Sequence, residues 1–366
     1  MGTAGMSGVS KRVVVAMSGG VDSSVAAALL QREGYEVTGV TLRMKAHDAF
    51  SPAEDLVAAA QAAADHLAIP LRVLDRTAGF REAVLRPSWD EYARGRTPNP
   101  CVLCNPSIKF NALLEVAREV GAGSVATGHY ARVLREAGRP PRLLRAGDRA
   151  KDQSYFLFAL RAEHLARVIF PLGDLTKAEV RGIAHDLGLP SADRAESQDA
   201  CVIDMGETLP EFLRAMFAAP ARPGAIVAAD RSPLGAHDGI HRFTIGQRRG
   251  VGIAVGSPAW VKEIDPATGT ITMTTDPDDL LASGLHASGM IWDETRLPVK
   301  ALACMAQVRY GHQPVPAVAE IGDGGTAVIS FETPVRAVTP GQAVVLYDND
   351  TVAGGGWIER AMPDAV

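Results

Sequence analysis

Short apolar runs alternate with longer alanine-rich or amphipathic segments over the first half of the chain. The runs predict buried strands and the longer segments predict helices. The predicted strands are Arg12–Met17, Glu36–Leu42, Leu71–Leu74 and Ser124–Thr127, and the predicted helices between them are Asp22–Arg32 and roughly Pro52–Leu67. Because strands that alternate with helices usually lie parallel, this half predicts an α/β domain whose parallel sheet is covered on both faces.

The pattern changes after about Met205, where one helix is followed by short strands separated by Gly, Pro and Asp. A helix is predicted at Glu211–Ala218, with strands at Gly224–Ala228, Trp260–Ile264, Thr270–Met273, Ala301–Arg309, Ala317–Glu320, Thr326–Phe331 and Ala343–Tyr347. The last four favour a small β-barrel or sandwich. We therefore predict three domains, namely an α/β domain over 11–206, a small mixed adaptor over 207–285 and a C-terminal β-barrel over 286–366.

Composition narrows the class of protein further. The chain has 366 residues, of which 47% are hydrophobic and 22% are charged. This composition is typical of a globular protein with buried hydrophobic cores. No apolar run reaches the roughly 18 residues that a membrane span needs, and the small, polar start does not resemble a signal peptide. We expect a cytoplasmic protein. The net charge of −5 argues against a general nucleic-acid coat but leaves room for a local RNA-binding patch.

A glycine- and serine-rich loop joins the first predicted strand to the first predicted helix. Glycines let the backbone approach a phosphate, and the amides of the next helix point towards it. The alternative is an ordinary serine-capped turn. The loop lacks the lysine of a Walker A motif and instead resembles the SGGxDS signature of PP-loop ATP pyrophosphatases, which cleave ATP between the α- and β-phosphates. Its residues are Ala16, Met17, Ser18, Gly19, Gly20, Val21, Asp22, Ser23 and Ser24.

Two of the four cysteines form a C-x-x-C pair, Cys101 and Cys104, within Thr97–Asn105. We expect the two prolines of this segment to keep it out of a helix. The pair could be half of a zinc site, although no second pair completes four ligands. It could also be a redox pair, or one member could be a nucleophile near a helix N-terminus.

The other two cysteines are isolated in the sequence. Cys201 lies in the segment Ser197–Ile203, and on its own it would most often be a small buried side chain. Cys304 lies inside an apolar strand pattern, so burial is the simplest explanation for it.

Six motifs in order resemble the tRNA-specific 2-thiouridylase family. They are SGGVDSS, GRTPNPCVLCNPSIKF, ATGHYAR, KDQSYFL, SQDACVI and FTIGQRRGVGI, and the likeness extends from about Val13 to about Leu346. A single motif would support only the PP-loop superfamily, whereas six in register identify the family. The family thiolates the wobble uridine of certain tRNAs at C2.

The resemblance implies a role for several positions. It places ATP phosphates on the backbone of Ala16–Ser23 and lines the nucleotide pocket with Leu42 and Gly128. It makes Cys104 the nucleophile and Cys201 the residue that carries the persulfide, while Cys101 matches a position where cysteine is not required. The positions that resemble tRNA contacts are His129, Lys151, Asp152, Gln153, Arg309, Tyr310 and Gln342.

The chemistry implied by the resemblance begins with adenylation of the C2 oxygen of uridine, with Mg²⁺ expected to accompany ATP. A donor protein would then place a terminal sulfur on Cys201 as a persulfide. Either this sulfur attacks C2 directly, or Cys104 attacks the persulfide and frees hydrosulfide. Both routes leave a Cys104–Cys201 disulfide that a reductant must reopen. The expected partners are tRNA and the sulfur donor, with neither DNA nor a membrane.

Three rival functions remain open at the level of sequence. A PP-loop ligase that forms amides or amidines would use ATP without Cys201, and a C-x-x-C module could bind metal or RNA. A tRNA thiolase could also act on a different base. Arg242, Arg248 and Arg249 form the densest basic cluster of the adaptor, which favours either RNA binding or packing between domains.

Overall fold

The computed structural model describes residues 11–44, 53–194, 208–253, 256–296 and 300–363, without the side chains of 53–55 and 296. The chain divides into two compact units. The first lies within Met1–Ala83 and Cys101–Asp204, and the second lies within Val84–Pro100 and Met205–Val366. The division into three domains at 206/207 and 285/286 remains a prediction.

The described residues form helices and strands with the following bounds. The α-helices are α1 (Val21–Arg32), α2 (Ala53–His66), α3 (Thr77–Phe80), α4 (Arg86–Ala93), α5 (Pro100–Cys104), α6 (Asn111–Glu119), α7 (Ala162–Leu165), α8 (Lys177–Asp186) and α9 (Leu209–Met216), with π-helical segments at Arg81–Leu85 and Asn105–Phe110. The strands are β1 (Arg12–Ala16), β2 (Glu36–Arg43), β3 (Leu71–Asp75), β4 (Ser124–Ala126), β5 (Arg132–Leu134), β6 (Arg142–Leu144), β7 (Val168–Ile169), β8 (Gly224–Ala228), β9 (Pro233–His237), β10 (Trp260–Asp265), β11 (Thr270–Thr274), β12 (Leu281–Trp292), β13 (Ala301–Gln307), β14 (Val315–Ile321), β15 (Ala327–Arg336), β16 (Ala343–Asp348) and β17 (Thr351–Pro363).

A five-stranded sheet forms the centre of the first unit. Its strand order is β3-β2-β1-β4-β7 and every neighbouring pair is parallel. Val13, Val14 and Val15 of β1 are all buried, because helices cover a parallel sheet on both faces. Val13 and Val15 pack with residues of both α1 and α2, α1 also packs with α8, and α6 contacts β1 and β4. The predicted α/β architecture is confirmed.

The second unit contains a small mixed sheet with the order β10-β11-β8-β9. Strands β11 and β8 pair parallel, and the other two pairs are antiparallel. Ile226 of β8, Val261 of β10 and Ile271 of β11 are buried and form a core with Phe243. This sheet agrees with the mixed adaptor expected from the sequence.

The same unit contains a closed antiparallel barrel of six strands. Its order is β12-β15-β14-β13-β16-β17, and pairing of β12 with β17 closes it. Leu285, Ile329, Val344 and Leu346 lie in its core and are fully buried. The predicted barrel is therefore confirmed, although β12 and β17 were not predicted from the sequence.

The segment 84–100 belongs to the second unit and forms polar contacts within it. Arg96 donates from Nε to Glu91 Oε2 at 2.6 Å and from Nη1 to Glu359 Oε2 on β17 at 2.7 Å. The Thr97 amide donates to Pro340 O at 2.9 Å. The bonds to Glu359 and Pro340 connect residues that are far apart in the sequence, so they were not predictable from local pattern.

Gly356 and Gly182 lie in different environments, one tightly packed and one exposed on a helix. Their alanine variants should therefore change the free energy of unfolding in opposite directions. In β17, a Cβ on Gly356 would lie 2.7 Å from the backbone oxygen of Ser288 and 2.5 Å from Met290 Sδ. Gly356→Ala should therefore destabilise the barrel by about 1–3 kcal/mol. Gly182 lies exposed in α8 with nothing within 4 Å of the added Cβ, so Gly182→Ala should stabilise the first unit by about 1 kcal/mol.

Denaturant unfolding of both variants, followed by a probe in each unit, measures these changes in the free energy of unfolding. An unchanged barrel transition in Gly356→Ala would contradict the close approach of β17 to β12.

Candidate nucleotide and thiol site

The candidate site lies at the carboxyl edge of the parallel sheet. The chain leaves β1 at Ala16 and β4 at Ala126, and these two strands are neighbours. The strand order reverses between them, since β2 and β3 follow β1 on the opposite side. Ligands of open α/β sheets bind in the crevice at such a reversal, so the loops that follow β1 and β4 form the expected binding edge.

The loop after β1 is pressed tightly against its neighbours. The Met17 amide donates to Val40 O of β2 at 2.8 Å. Gly19 has a φ of +72°, and a Cβ there would lie 2.5 Å from Ala59 Cβ and 2.7 Å from the Ala59 carbonyl carbon. Only glycine fits this position, because both the backbone conformation and the space exclude a side chain.

Serine hydroxyls stabilise the shape of this loop from inside. Ser23 Oγ accepts from the Ser18 amide at 3.1 Å and donates to Gly20 O at 3.1 Å. Ser24 Oγ donates to the same carbonyl at 2.9 Å. The residue that precedes α1 is Gly20, which has no side chain to cap the helix. The first-turn amides of α1 are thus presented to an anion by the backbone alone.

Gly128, after β4, contacts the start of α1 directly. A Cβ on this residue would lie 2.7 Å from the carbonyl carbon of Asp22 and 2.8 Å from the Ser23 nitrogen. The two loops at the strand-order reversal therefore meet backbone to backbone. Leu42, predicted to line the same pocket, is partly exposed near the end of β2 and pairs with Leu74.

Asp22 is the only charged residue of the loop sequence, and two side chains from later in the chain bind it. Lys177 Nζ lies 2.7 and 2.9 Å from its two carboxylate oxygens, and Tyr130 Oη donates to Oδ1 at 2.9 Å. Lys177 was not predicted as a site residue from the sequence. Its only local signal is the Thr176–Glu179 capping box, which marks a helix start but not what that start faces.

The C-x-x-C segment is helical, which corrects the expectation that its prolines exclude a helix. α5 begins at Pro100 and ends at Cys104. Proline is tolerated at the first helical position, because the N–H that it lacks would have no partner inside the helix. A π-helical segment, Asn105–Phe110, follows directly and leads into α6. Such segments are frequent at functional sites.

The two thiols of this segment differ in exposure. Cys101 is exposed, whereas only 7% of Cys104 is accessible. Cys104 Sγ lies 4.0 Å from Met44 Sδ, and Met44 follows the last residue of β2. Asn105, also buried, donates to Phe156 O at 2.9 Å. The structure thus brings Cys104 to the edge of the sheet that carries the phosphate loop.

The other two cysteines are Cys201 and Cys304. Cys201 lies outside the described residues. Cys304 lies in β13, and burial raises the pKa of its thiol to about 11. A thiol with so high a pKa is almost entirely protonated near neutral pH, which agrees with a packing role.

His129 is held as a neutral imidazole. Its Nε2 lies 3.5 Å from Lys109 Nζ and its Nδ1 lies 2.7 Å from Thr127 Oγ1. Because an ammonium can only donate, Nε2 accepts and Nδ1 carries the proton. Burial first, and the charge of Lys109 second, hold the pKa of His129 well below its ordinary value of 6.5. His129 can therefore donate and accept hydrogen bonds but offers no positive charge.

The Lys151–Gln153 stretch is mostly internal. Asp152 is buried, accepts from Arg145 Nε at 2.8 Å and from two backbone amides, and Gln153 Oε1 accepts from the Tyr130 amide at 3.0 Å. Lys151 is partly exposed. The side chains of Asp152 and Gln153 therefore stabilise the loop, and Lys151 is the residue of this stretch that carries positive charge.

The predicted tRNA contacts in the second unit are placed as follows. Arg309 is exposed, and 43% of Tyr310 is accessible. Gln342 Nε2 donates to the carbonyls of Thr97 and Pro98 at 3.0 and 3.4 Å. In the adaptor, Arg242 forms ion pairs with acidic neighbours of its own unit, while Arg248 and Arg249 are exposed.

The described residues contain neither a cluster of metal ligands nor a helix that could span a membrane. No three His, Cys, Asp or Glu side chains within those ranges come together as metal ligands. No helix among them is both long enough and apolar enough to span a bilayer.

Family models match three consecutive parts of the chain. A tRNA methyl transferase HUP domain matches residues 11–205, a tRNA methyl transferase PRC-barrel domain matches 211–275, and an aminomethyltransferase beta-barrel domain matches 282–358. The first of these alone covers more than half of the sequence.

Curated relatives are similar over almost their whole length. The tRNA-specific 2-thiouridylase MnmA of Geobacter metallireducens is 44% identical over 97% of this chain and 98% of its own. The protein of the same name from Sorangium cellulosum is 45% identical over 96% of this chain and 93% of its own.

Among solved structures, NMN synthetase from Francisella tularensis matches 59% of this chain and 80% of its own, with 18% identity and a TM-score of 0.35. A 4-thiouridine synthetase in an RNA complex with bound ATP matches 57% of this chain and 50% of its own, also with 18% identity and a TM-score of 0.35. At these scores neither likeness bears on function.

The depressed pKa of His129 should make the first unit less stable in mild acid. Well above pH 6.5 the imidazole is neutral in both the folded and unfolded states, so it contributes nothing to the pH dependence of stability. Below pH 6.5 the His129 imidazole is protonated in the unfolded chain but stays neutral in the folded protein. This difference lowers the free energy of unfolding by roughly 1 kcal/mol at pH 5.5. His129→Asn should lose less stability than the wild type between pH 7.5 and 5.5.

Denaturant titrations at the two pH values measure this difference. The matched control is His185→Asn, at an exposed position of α8 in the same unit. An identical pH dependence in the wild type and His129→Asn would show that His129 is not held neutral.

Proposed function

This chain belongs to the tRNA-specific 2-thiouridylase family, and we propose that it catalyses ATP-dependent 2-thiolation of the wobble uridine of tRNA. The observation that carries the proposal is that the phosphate loop and the Cys104 thiol lie at one edge of one sheet. A thiolase of this kind needs both, because one group activates the base and the other handles sulfur.

The geometry of the loop supports adenylation by ATP. The uncapped amides of α1 and the serine-stabilised turn suit phosphate oxygens, and Gly128 lets the two loops approach closely. No lysine lies within the loop, which disfavours transfer of the γ-phosphoryl group of the P-loop type. Adenylation turns the C2 oxygen of uridine from a poor leaving group into part of AMP.

Burial of Cys104 supports its assignment as the nucleophile that works out of contact with bulk solvent. The proposed partner is Cys201, which rests on its SQDACVI motif. A donor protein would convert Cys201 to the persulfide. The terminal sulfur then reaches C2 either directly or as hydrosulfide that Cys104 releases, and the two sulfurs left on the protein form a disulfide.

The residues at the loop fit Mg²⁺. Nucleotide-bound Mg²⁺ is usually held by one or two carboxylates together with phosphate oxygens, and Asp22 offers a partly exposed carboxylate that already binds a cation, the Lys177 ammonium. When bound, Mg²⁺ would neutralise charge on the pyrophosphate.

Recognition of tRNA is assigned to both units. In the first unit Lys151 would meet a phosphate, and the neutral His129 would exchange hydrogen bonds with a base or a ribose. In the second unit the exposed Arg309 and Tyr310 suit phosphate contact and base stacking. Gln342 would act indirectly, by holding the backbone of Thr97 and Pro98 in place through its side-chain amide. We place the reaction in the cytoplasm.

Cysteine substitutions test the assignment of the two thiols. Cys104→Ser and Cys201→Ser should each lower thiolation by at least about a thousandfold, because a serine hydroxyl neither carries nor attacks a persulfide sulfur. ATP binding should survive in both. Nucleoside mass spectrometry after incubation with ATP, tRNA and a persulfide donor measures the product.

The matched controls are Cys101→Ser and Cys304→Ser, which should thiolate at nearly the wild-type rate. Full activity of Cys104→Ser or of Cys201→Ser would remove that cysteine from the mechanism.

The nucleotide products test the cleavage site in ATP. Adenylation should release AMP and pyrophosphate only when tRNA is present, because the uridine oxygen is the attacking group. Chromatography of labelled nucleotides measures them, with a tRNA carrying cytidine at the wobble position as the control. Release of ADP and phosphate instead would be incompatible with the PP-loop assignment.

A further inference from the structure

We infer that Lys177 binds the β- and γ-phosphates of ATP and supplies the positive charge that the phosphate loop lacks. This rests on the proposed function only in taking ATP as the substrate. Neither the loop motif nor the other five motifs contain this residue.

The charge balance at the loop is the first reason. Residues 16–24 carry a single charge, and it is the negative one of Asp22. A triphosphate bears several negative charges, so the bare loop would repel it despite the amides of α1. Together with the Mg²⁺ proposed to accompany ATP, a cation from elsewhere in the chain would offset this charge.

The position of Lys177 is the second reason. Asp22 is the second residue of α1, so an ammonium within 2.9 Å of both its carboxylate oxygens lies beside the first turn of that helix. The side chain of Lys177 is 12% accessible, which limits screening by salt. Arg194 also reaches the loop, at 3.4 Å from Gly19 O, but its side chain is exposed.

The base of the lysine side chain is fixed independently of Asp22. Lys177 is the first residue of α8, whose start is secured by the reciprocal capping box of Thr176 and Glu179. Its amide donates to Asp148 Oδ2 at 3.0 Å, and its ammonium lies 5.8 Å from the centre of the Tyr130 ring. Because the backbone of Lys177 is fixed, its ammonium can leave the Asp22 carboxylate for a phosphate oxygen by rotation of the side chain alone, without movement of α8.

The reaction gives this cation a purpose. As the C2 oxygen of uridine bonds to the α-phosphorus, the bond from that phosphorus to the bridging oxygen breaks, and its electron pair leaves with pyrophosphate. The ammonium would stabilise this departing charge, since donors aimed at developing charge contribute most to the rate.

A purely structural ion pair between α8 and α1 is the alternative, and nucleotide selectivity separates the two roles. AMP lacks the β- and γ-phosphates. Lys177→Met should therefore weaken binding of α,β-methylene ATP about ten- to hundredfold, the range for a lost charge-assisted hydrogen bond, and leave AMP binding within about twofold. Calorimetry measures both affinities in the full chain. Lys177→Arg should restore part of the loss.

Tyr130→Phe is the matched control, because it removes another hydrogen bond to Asp22 without removing a charge. It should change the two affinities by the same factor. Equal weakening of both nucleotides in Lys177→Met, or no weakening of either, would overturn the inference. Release of ADP by the wild type would refute the proposed adenylation while leaving the phosphate-binding result intact.

Discussion

The backbone contact between Gly128 and the start of α1 is the constraint on which the site depends. It joins the two loops that leave neighbouring parallel strands where the strand order reverses, with no room for a single methyl group between them. This contact sets the direction in which α1 presents its first-turn amides. It also places Tyr130, two residues later, where its hydroxyl reaches Asp22. The nucleotide edge of the sheet is therefore defined by backbone geometry more than by side chains.

The thiol reaches the same edge through a different element. Cys104 is the last residue of α5, and the π-helical segment that follows begins with the buried Asn105, which is bonded to Phe156 O. The shielded thiol sits beside Met44, while Cys101 is exposed one turn earlier. Because oxidation of cysteine follows exposure, this burial protects a sulfur whose chemistry depends on remaining reduced between turnovers.

The local pattern of apolar residues and glycines predicted the regular strands and helices. It did not predict the features that depend on contacts between residues far apart in the sequence. The four predicted strands of the sheet, α1 and the loop between them follow from apolar runs and glycine placement. β17 was missed because Gly354, Gly355 and Gly356 are typical of a turn, yet side chains at Gly354 or Gly356 would strike β12. Pro100 was taken as a helix breaker although it begins α5. Lys177 could not be found, since 155 residues separate it from Asp22.

The position of the modified nucleoside tests the central claim most directly. Purified chain is incubated with ATP, a persulfide donor, a reductant that reopens the disulfide and unmodified tRNA, and the RNA is digested and mapped by mass spectrometry. The account predicts 2-thiouridine at the first anticodon position and at no other uridine, with none formed when ATP is omitted. Sulfur at a different nucleotide, or an unmodified tRNA under conditions where the enzyme binds both substrates, would contradict it.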